Sequence, residues 1–132
     1  MDAAPSTPAA PPPPPKDRKE RILDALGDPA ARGILLMLSD VPHSAQDLLA
    51  ANHIPQSTLY RKIHELQQLG LIGIQRTAIT PEGKRVDLYR SLLEELKVDL
   101  QGTQLRIQVR FRDLAAERLK EMWHGMRTEA RS

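Results

Sequence analysis

The chain has 132 residues, with 19 basic and 17 acidic side chains for a formal charge of +2; 40% of it is hydrophobic but only 3% aromatic. That length suits one compact domain whose core is built from Leu, Ile, Val, Ala and Met. There is no cysteine, which excludes a disulfide framework, thiolate catalysis and Cys-ligated zinc or iron–sulfur sites. No apolar run approaches the roughly 18 residues needed to cross a bilayer. Met1–Pro15 has neither the early positive charge nor the apolar stretch of a signal peptide, so a soluble cytoplasmic protein is expected.

Seven of the eleven prolines lie in the first 15 residues. Residues 1–16 therefore read as a disordered Pro/Ala-rich tail biased to polyproline II, with a ligand for a proline-binding domain as the competing reading. Charge is uneven along the rest. Residues 51–92 hold six basic and three acidic side chains, net +3, whereas residues 1–50 are net −2 and residues 93–132 net +1. The positive excess thus falls in the middle third, where a polyanion would meet it, although a plain solvated basic face has the same composition.

Ile22, Leu23 and Leu26 have helical spacing over Lys19–Leu26, and Gly27 stops the helix. Asp28-Pro29 forms an N-cap followed by proline at the first helical position, where the missing N–H costs nothing. Ala31, Ile34, Leu35 and Leu38 then make one apolar stripe, ended by Ser39-Asp40 and Pro42. Ser44-x-x-Asp47 has the capping-box pattern for a short helix to Ala51, with Leu48 and Leu49 turned inward. Pro55 opens a further helix, 55–69, with Leu59, Ile63, Leu66 and Leu69 on its apolar side and Gly70 just past its end. Two helices joined by a short turn predict a helix-turn-helix.

Past Gly70 the period changes. Leu71 to Ile74, the turn Pro81-Glu82-Gly83 and the alternation from Arg85 to Leu92 predict a β-hairpin wing over 71–92, with Arg76, Lys84 and Arg85 near its tip. For residues 93–101, Leu93, Leu96 and Leu100 fit a helix, while Leu96, Val98 and Leu100 also alternate. After Gly102-Thr103, the residues Leu105, Ile107, Val109 and Phe111 alternate strictly, so a second hairpin is the favoured reading. Asp113 can cap a last helix whose stripe is Ala115 or Ala116, Leu119, Met122, Trp123 and Met126.

These strings carry a resemblance. Ile22–Leu38 (ILDALGDPAARGILLML), Ile54–Ile72 (IPQSTLYRKIHELQQLGLI) and Thr80–Arg90 (TPEGKRVDLYR) resemble the winged helix-turn-helix regulators of the ArsR-like superfamily, the archaeal-type members above all. The resemblance covers a little over half the chain. It implies a winged helix-turn-helix over 17–92; the residue patterns beyond it add a C-terminal β-hairpin and helix extension over 93–132, so the expected fold class is α+β. It further implies a homodimeric transcriptional regulator that binds double-stranded DNA. Metal-sensing relatives use a cysteine-containing site that this chain lacks, so a thiolate metal sensor is excluded.

The apolar stripe of helix 55–69 leaves Gln56, Ser57, Thr58, Tyr60, Arg61 and Lys62 for the major groove. Gln56 suits adenine, and Arg61 suits guanine O6 and N7. Ser57 and Thr58 suit phosphates but serve equally as helix caps, and Tyr60 suits either DNA or packing against the wing. Arg76, Lys84 and Arg85 suit the backbone or minor groove. Ile22, Leu26, Leu119, Met122, Trp123 and Met126 are the expected dimer interface, since specific DNA binding by one small module is weak.

Among the four histidines, only His124 shares one predicted helix with acidic residues at ligand spacing, Glu117 and Glu121, and that set reads as a solvated helix face. The glycines form no phosphate loop, so neither enzyme activity nor a metal or cofactor is expected. No residue cluster names a small-molecule effector. Two other readings share the fold: an architectural, nucleoid-associated protein of low sequence specificity, and a protein-binding adaptor.

Overall fold

The computed structural model describes residues 17–131, with side chains as far as Trp123. The Pro/Ala-rich segment and the Met126 side chain lie outside that range. The elements run α1 (Arg18–Gly27), α2 (Pro29–Asp40), α3 (Ala45–Ala51), α4 (Gln56–Gln68), β1 (Ile72–Ile79), β2 (Arg85–Ser91), β3 (Leu93–Gln101), β4 (Gln104–Phe111) and α5 (Leu114–Arg131). The α+β winged helix-turn-helix with a second hairpin and a last helix is thus the observed fold.

Local chemistry explains each boundary. Asp17 caps α1 by accepting from the Glu20 N–H at 2.9 Å, so the helix starts one residue before the sequence pattern suggests. Asp28 caps α2 through the Ala30 N–H, with Pro29 in the first turn. Helix α2 runs two residues past Leu38, because the Ser39 hydroxyl bonds back to the Leu35 carbonyl at 2.8 Å and stays compatible with helix. Both halves of the Ser44/Asp47 capping box are formed.

Helix α4 ends in a Schellman motif. The Leu71 N–H reaches the Leu66 carbonyl at 2.9 Å, the Gly70 N–H reaches that of Gln67 at 3.0 Å, and Gly70 takes a φ of +77°. The apolar pair Leu66 and Leu71, both buried, closes it.

The core lies among α1, α2, α3, α4 and the strand bases. Ile22, Ala31, Ile34, Leu35, Leu38, Leu48, Leu59, Ile63, Leu66, Leu71, Ile72 and Leu93 are buried together. Each Leu or Ile removed from water contributes about 1.5–3 kcal/mol, so three such residues on α4 fix its rotation about its own axis. Leu49 and Leu69, expected inside, are half-buried at the edge.

The strands form two separate antiparallel ribbons, β1-β2 and β3-β4. The wing pairs Ile72 with Ser91 and Ile79 with Arg85, with an irregularity between Ile74 and Arg76 that leaves Gln75 as the extra residue. Its tip is closed by Thr80, which accepts from the Gly83 N–H at 2.9 Å, with Gly83 at φ +84°. One bridge from His43 to Tyr89 ties the segment before α3 to β2.

Residues 93–101 are strand, not helix. The β3-β4 ribbon turns at Gly102-Thr103, with Gln101 opposite Gln104 and Gly102 at φ +59°. Positive φ at the first turn residue alone is the type II′ pattern. Leu92 links the two ribbons: its N–H bonds to Leu71, and its carbonyl accepts from Arg112. Asp113 caps α5 by accepting from Ala115 and Ala116.

Candidate nucleic-acid interface

The stripe Leu59, Ile63 and Leu66 anchors α4 and turns Gln56, Ser57, Tyr60 and Arg61 to solvent, with Thr58 half-buried. The N-cap of α4 is Pro55, which offers no side-chain cap bond. Ser57 and Thr58 are therefore not the caps of this helix, and its first N–H groups stay open to an outside acceptor.

Beside this polar half-helix runs a groove of about 400 Å³, bounded by the start of α3 (Ala45, Gln46), by Tyr60, and by the wing from Thr80 to Tyr89. Lys84 and Arg85 stand on its wing side, and no ion pair engages either among the described residues. Glu82 and Asp87 also line it, and Asp87 accepts from the Thr77 hydroxyl at 3.1 Å. Burial pushes the Tyr89 phenol above its ordinary value, with Asp87 and Tyr60 adding to the shift. That phenol is a neutral hydrogen-bond donor on the groove wall.

The structure divides the sequence-predicted residues. Arg61 is exposed and lies 3.9 Å from Glu65 one turn on, a loose pair that a phosphate or base can displace. Lys62 does not face the groove. Its Nζ is 2.5 Å from Asp28 Oδ2 at the α1–α2 junction. The Lys62 hydrogen bond outweighs burial and holds the Asp28 carboxyl below its ordinary range. Arg76 is not at the wing tip: it lies opposite Leu88 and within 3.9 Å of Glu121 on α5.

Arg90 is turned inward, its Nη2 on the Ser39 carbonyl at 3.2 Å. Burial and the nearby Arg112 hold its pKa below the ordinary arginine value. Of the six basic residues in 51–92, Lys84 and Arg85 line the groove together with Glu82 and Asp87, and Arg61 stands exposed on α4. Gln46 and Tyr89 join the site without having been picked out. The Ser44 capping box already placed Gln46 in an exposed first turn, while nothing local marked Tyr89.

The residues expected to form a dimer seam divide in the same way. Ile22 is fully buried in the protomer's own core and has no surface to offer; its place is set by packing between α1 and α2. Leu26 is half-buried. Leu119, Met122 and Trp123 are 65%, 63% and 58% exposed. Helix α5 meets the protein through Leu114, Arg118 and Glu121, so its apolar side faces out. The acidic residues that share the last helix with His124 are engaged elsewhere: Glu117 takes a bond from Arg112 and Glu121 one from Gln75.

Comparison with known proteins agrees with this geometry. A family model described as a helix-turn-helix domain matches residues 26–73, from the end of α1 into the start of β1. No curated protein matches the chain. Fold and match together define a helix-turn-helix domain of the winged type, an architecture that many DNA-binding proteins use. No helix among the described residues is long and apolar enough to cross a membrane.

Proposed function

We propose that the protein is a sequence-specific transcriptional regulator of the kind its ArsR-like resemblance implies. It binds double-stranded DNA as a homodimer, α4 in the major groove and the wing on the backbone or minor groove, and works in the cytoplasm on the nucleoid. Residues 17–92 are the DNA-binding domain and 93–132 the dimerisation extension. The observation that carries this reading is the α4–wing groove, where Tyr60, from the exposed polar half of an uncapped helix, lines the same cavity as Lys84 and Arg85. Gln56 and Arg61 read base edges. Ser57, Thr58 and Tyr60 hold phosphates, and Lys84 and Arg85 neutralise the backbone.

The second copy is supported by the outward stripe Leu119, Met122 and Trp123. Clustered large apolar side chains on a small domain mark an interaction surface, and pairing doubles a weak DNA contact. The small number of unengaged cations in the groove counts against a protein that coats DNA through charge alone. Sedimentation of the full chain, alone and with duplex DNA, tests this reading. Two copies free in solution and two per duplex are expected; a monomer that leaves DNA unbound contradicts it.

A further inference from the structure

The bend in β1 is gripped from outside the wing. At the bulge the extra residue Gln75 has no partner opposite it on β2. Arg118 of α5 donates to two successive carbonyls there: its Nε bonds to the Gln75 carbonyl at 2.7 Å and its Nη2 to that of Ile74 at 2.6 Å. The Gln75 side chain is 2% exposed. It donates to Glu121 Oε1 at 2.5 Å and accepts from Arg90 Nη1 at 3.5 Å. Arg76, the next residue, lies 3.9 Å from the other Glu121 oxygen. Beyond this point the wing is nearly all exposed as far as Arg85, so the direction of its tip is decided at the bulge.

We propose that Arg118, with Glu121, is a positioning residue that aims the wing, so that α5 sets where Lys84 and Arg85 meet DNA. This rests on the DNA-binding reading above. A guanidinium fork that binds two successive carbonyls fixes both distance and orientation, which an ammonium cannot do. Arg118 acts through the wing, not by touching DNA.

A double-mutant cycle with the full chain tests it, using a labelled mixed-sequence duplex and fluorescence anisotropy. Arg118→Ala is expected to weaken binding about fivefold and to lower the salt dependence, while adding no loss in a Lys84→Ala/Arg85→Ala background. Arg118→Lys is expected to restore little, and Glu121→Ala, which takes the acceptor from Gln75, to weaken binding in the same direction. Equal loss in both backgrounds, or none in either, overturns the proposal. Amide hydrogen exchange without DNA gives a separate readout: Arg118→Ala is expected to speed exchange at residues 77–86 and leave α2 and α4 unchanged. Unaltered wing exchange overturns the proposal. Failure of the wild type to bind any duplex sinks the DNA-binding reading instead, and leaves the exchange result to decide the role of Arg118.

Discussion

Replacing Lys84 and Arg85 together with alanine removes the two cations that line the α4–wing groove and leaves Arg61, exposed on α4, as the third cation of the proposed DNA face. Each phosphate neutralised on B-DNA contributes about 0.9 to the slope of log affinity against log salt. Three cations per protomer, doubled in the proposed homodimer, give a slope near −5. A rise from about 50 to 200 mM salt then weakens binding about a thousandfold. The double variant keeps one cation per protomer, so its slope falls to about −2 and the same rise costs it only about tenfold. Both side chains are exposed, so the fold is expected to survive, and thermal unfolding checks that it does. Anisotropy of a labelled duplex across a salt series reads the slopes directly. An unchanged slope in the double variant refutes the placement of the wing on DNA.

Arg61→Ala is expected to cost about 1–3 kcal/mol of binding and to relax preference at one base position of each half-site, read from a panel of single-base duplex variants. Gly70→Ala forces an alanine to φ +77° and drives its Cβ to 2.7 Å from the Arg18 guanidinium. A loss of about 1–2 kcal/mol in unfolding free energy is expected by chemical denaturation. Lys62 above all holds the Asp28 carboxyl below its ordinary value in the folded protein. Its contribution is therefore present above that value and disappears as pH falls through the lower folded pKa. The stability gap between wild type and Lys62→Met is expected at neutral pH and to close in strong acid; a gap that persists there contradicts the ion pair. Trp123→Ser with Leu119→Ser is expected to shift sedimentation toward monomer with little change in the melting of each protomer, both side chains being largely exposed.

The sequence pattern carried most of the backbone. Caps at Asp28, Ser44 and Asp113, the glycine after α4, and the alternation around Gly102 are local signals, and local hydrogen bonds decide those boundaries. The same patterns misplaced individual side chains, because periodicity gives a face but not the neighbour opposite it. Lys62 lies on the polar side of α4 by count, yet a carboxylate 34 positions earlier holds it. Arg76 is close to the wing tip in sequence, whereas α5, about 45 residues on, supplies its partner Glu121. Ile22 belongs to a helix with an apolar side, and only the packing of α1 on α2 distinguishes core from seam. The bridge from His43 to Tyr89 left no pattern at all, since a single residue pair has no period.

Selection of sheared genomic DNA by the purified full chain at physiological salt, with sequencing of the retained fragments, tests sequence-specific DNA binding most directly. A shared, roughly palindromic motif with half-sites about one helical turn apart is expected. Uniform retention contradicts sequence reading by α4 and favours an architectural role, and no retention contradicts DNA binding altogether and leaves a protein-binding adaptor.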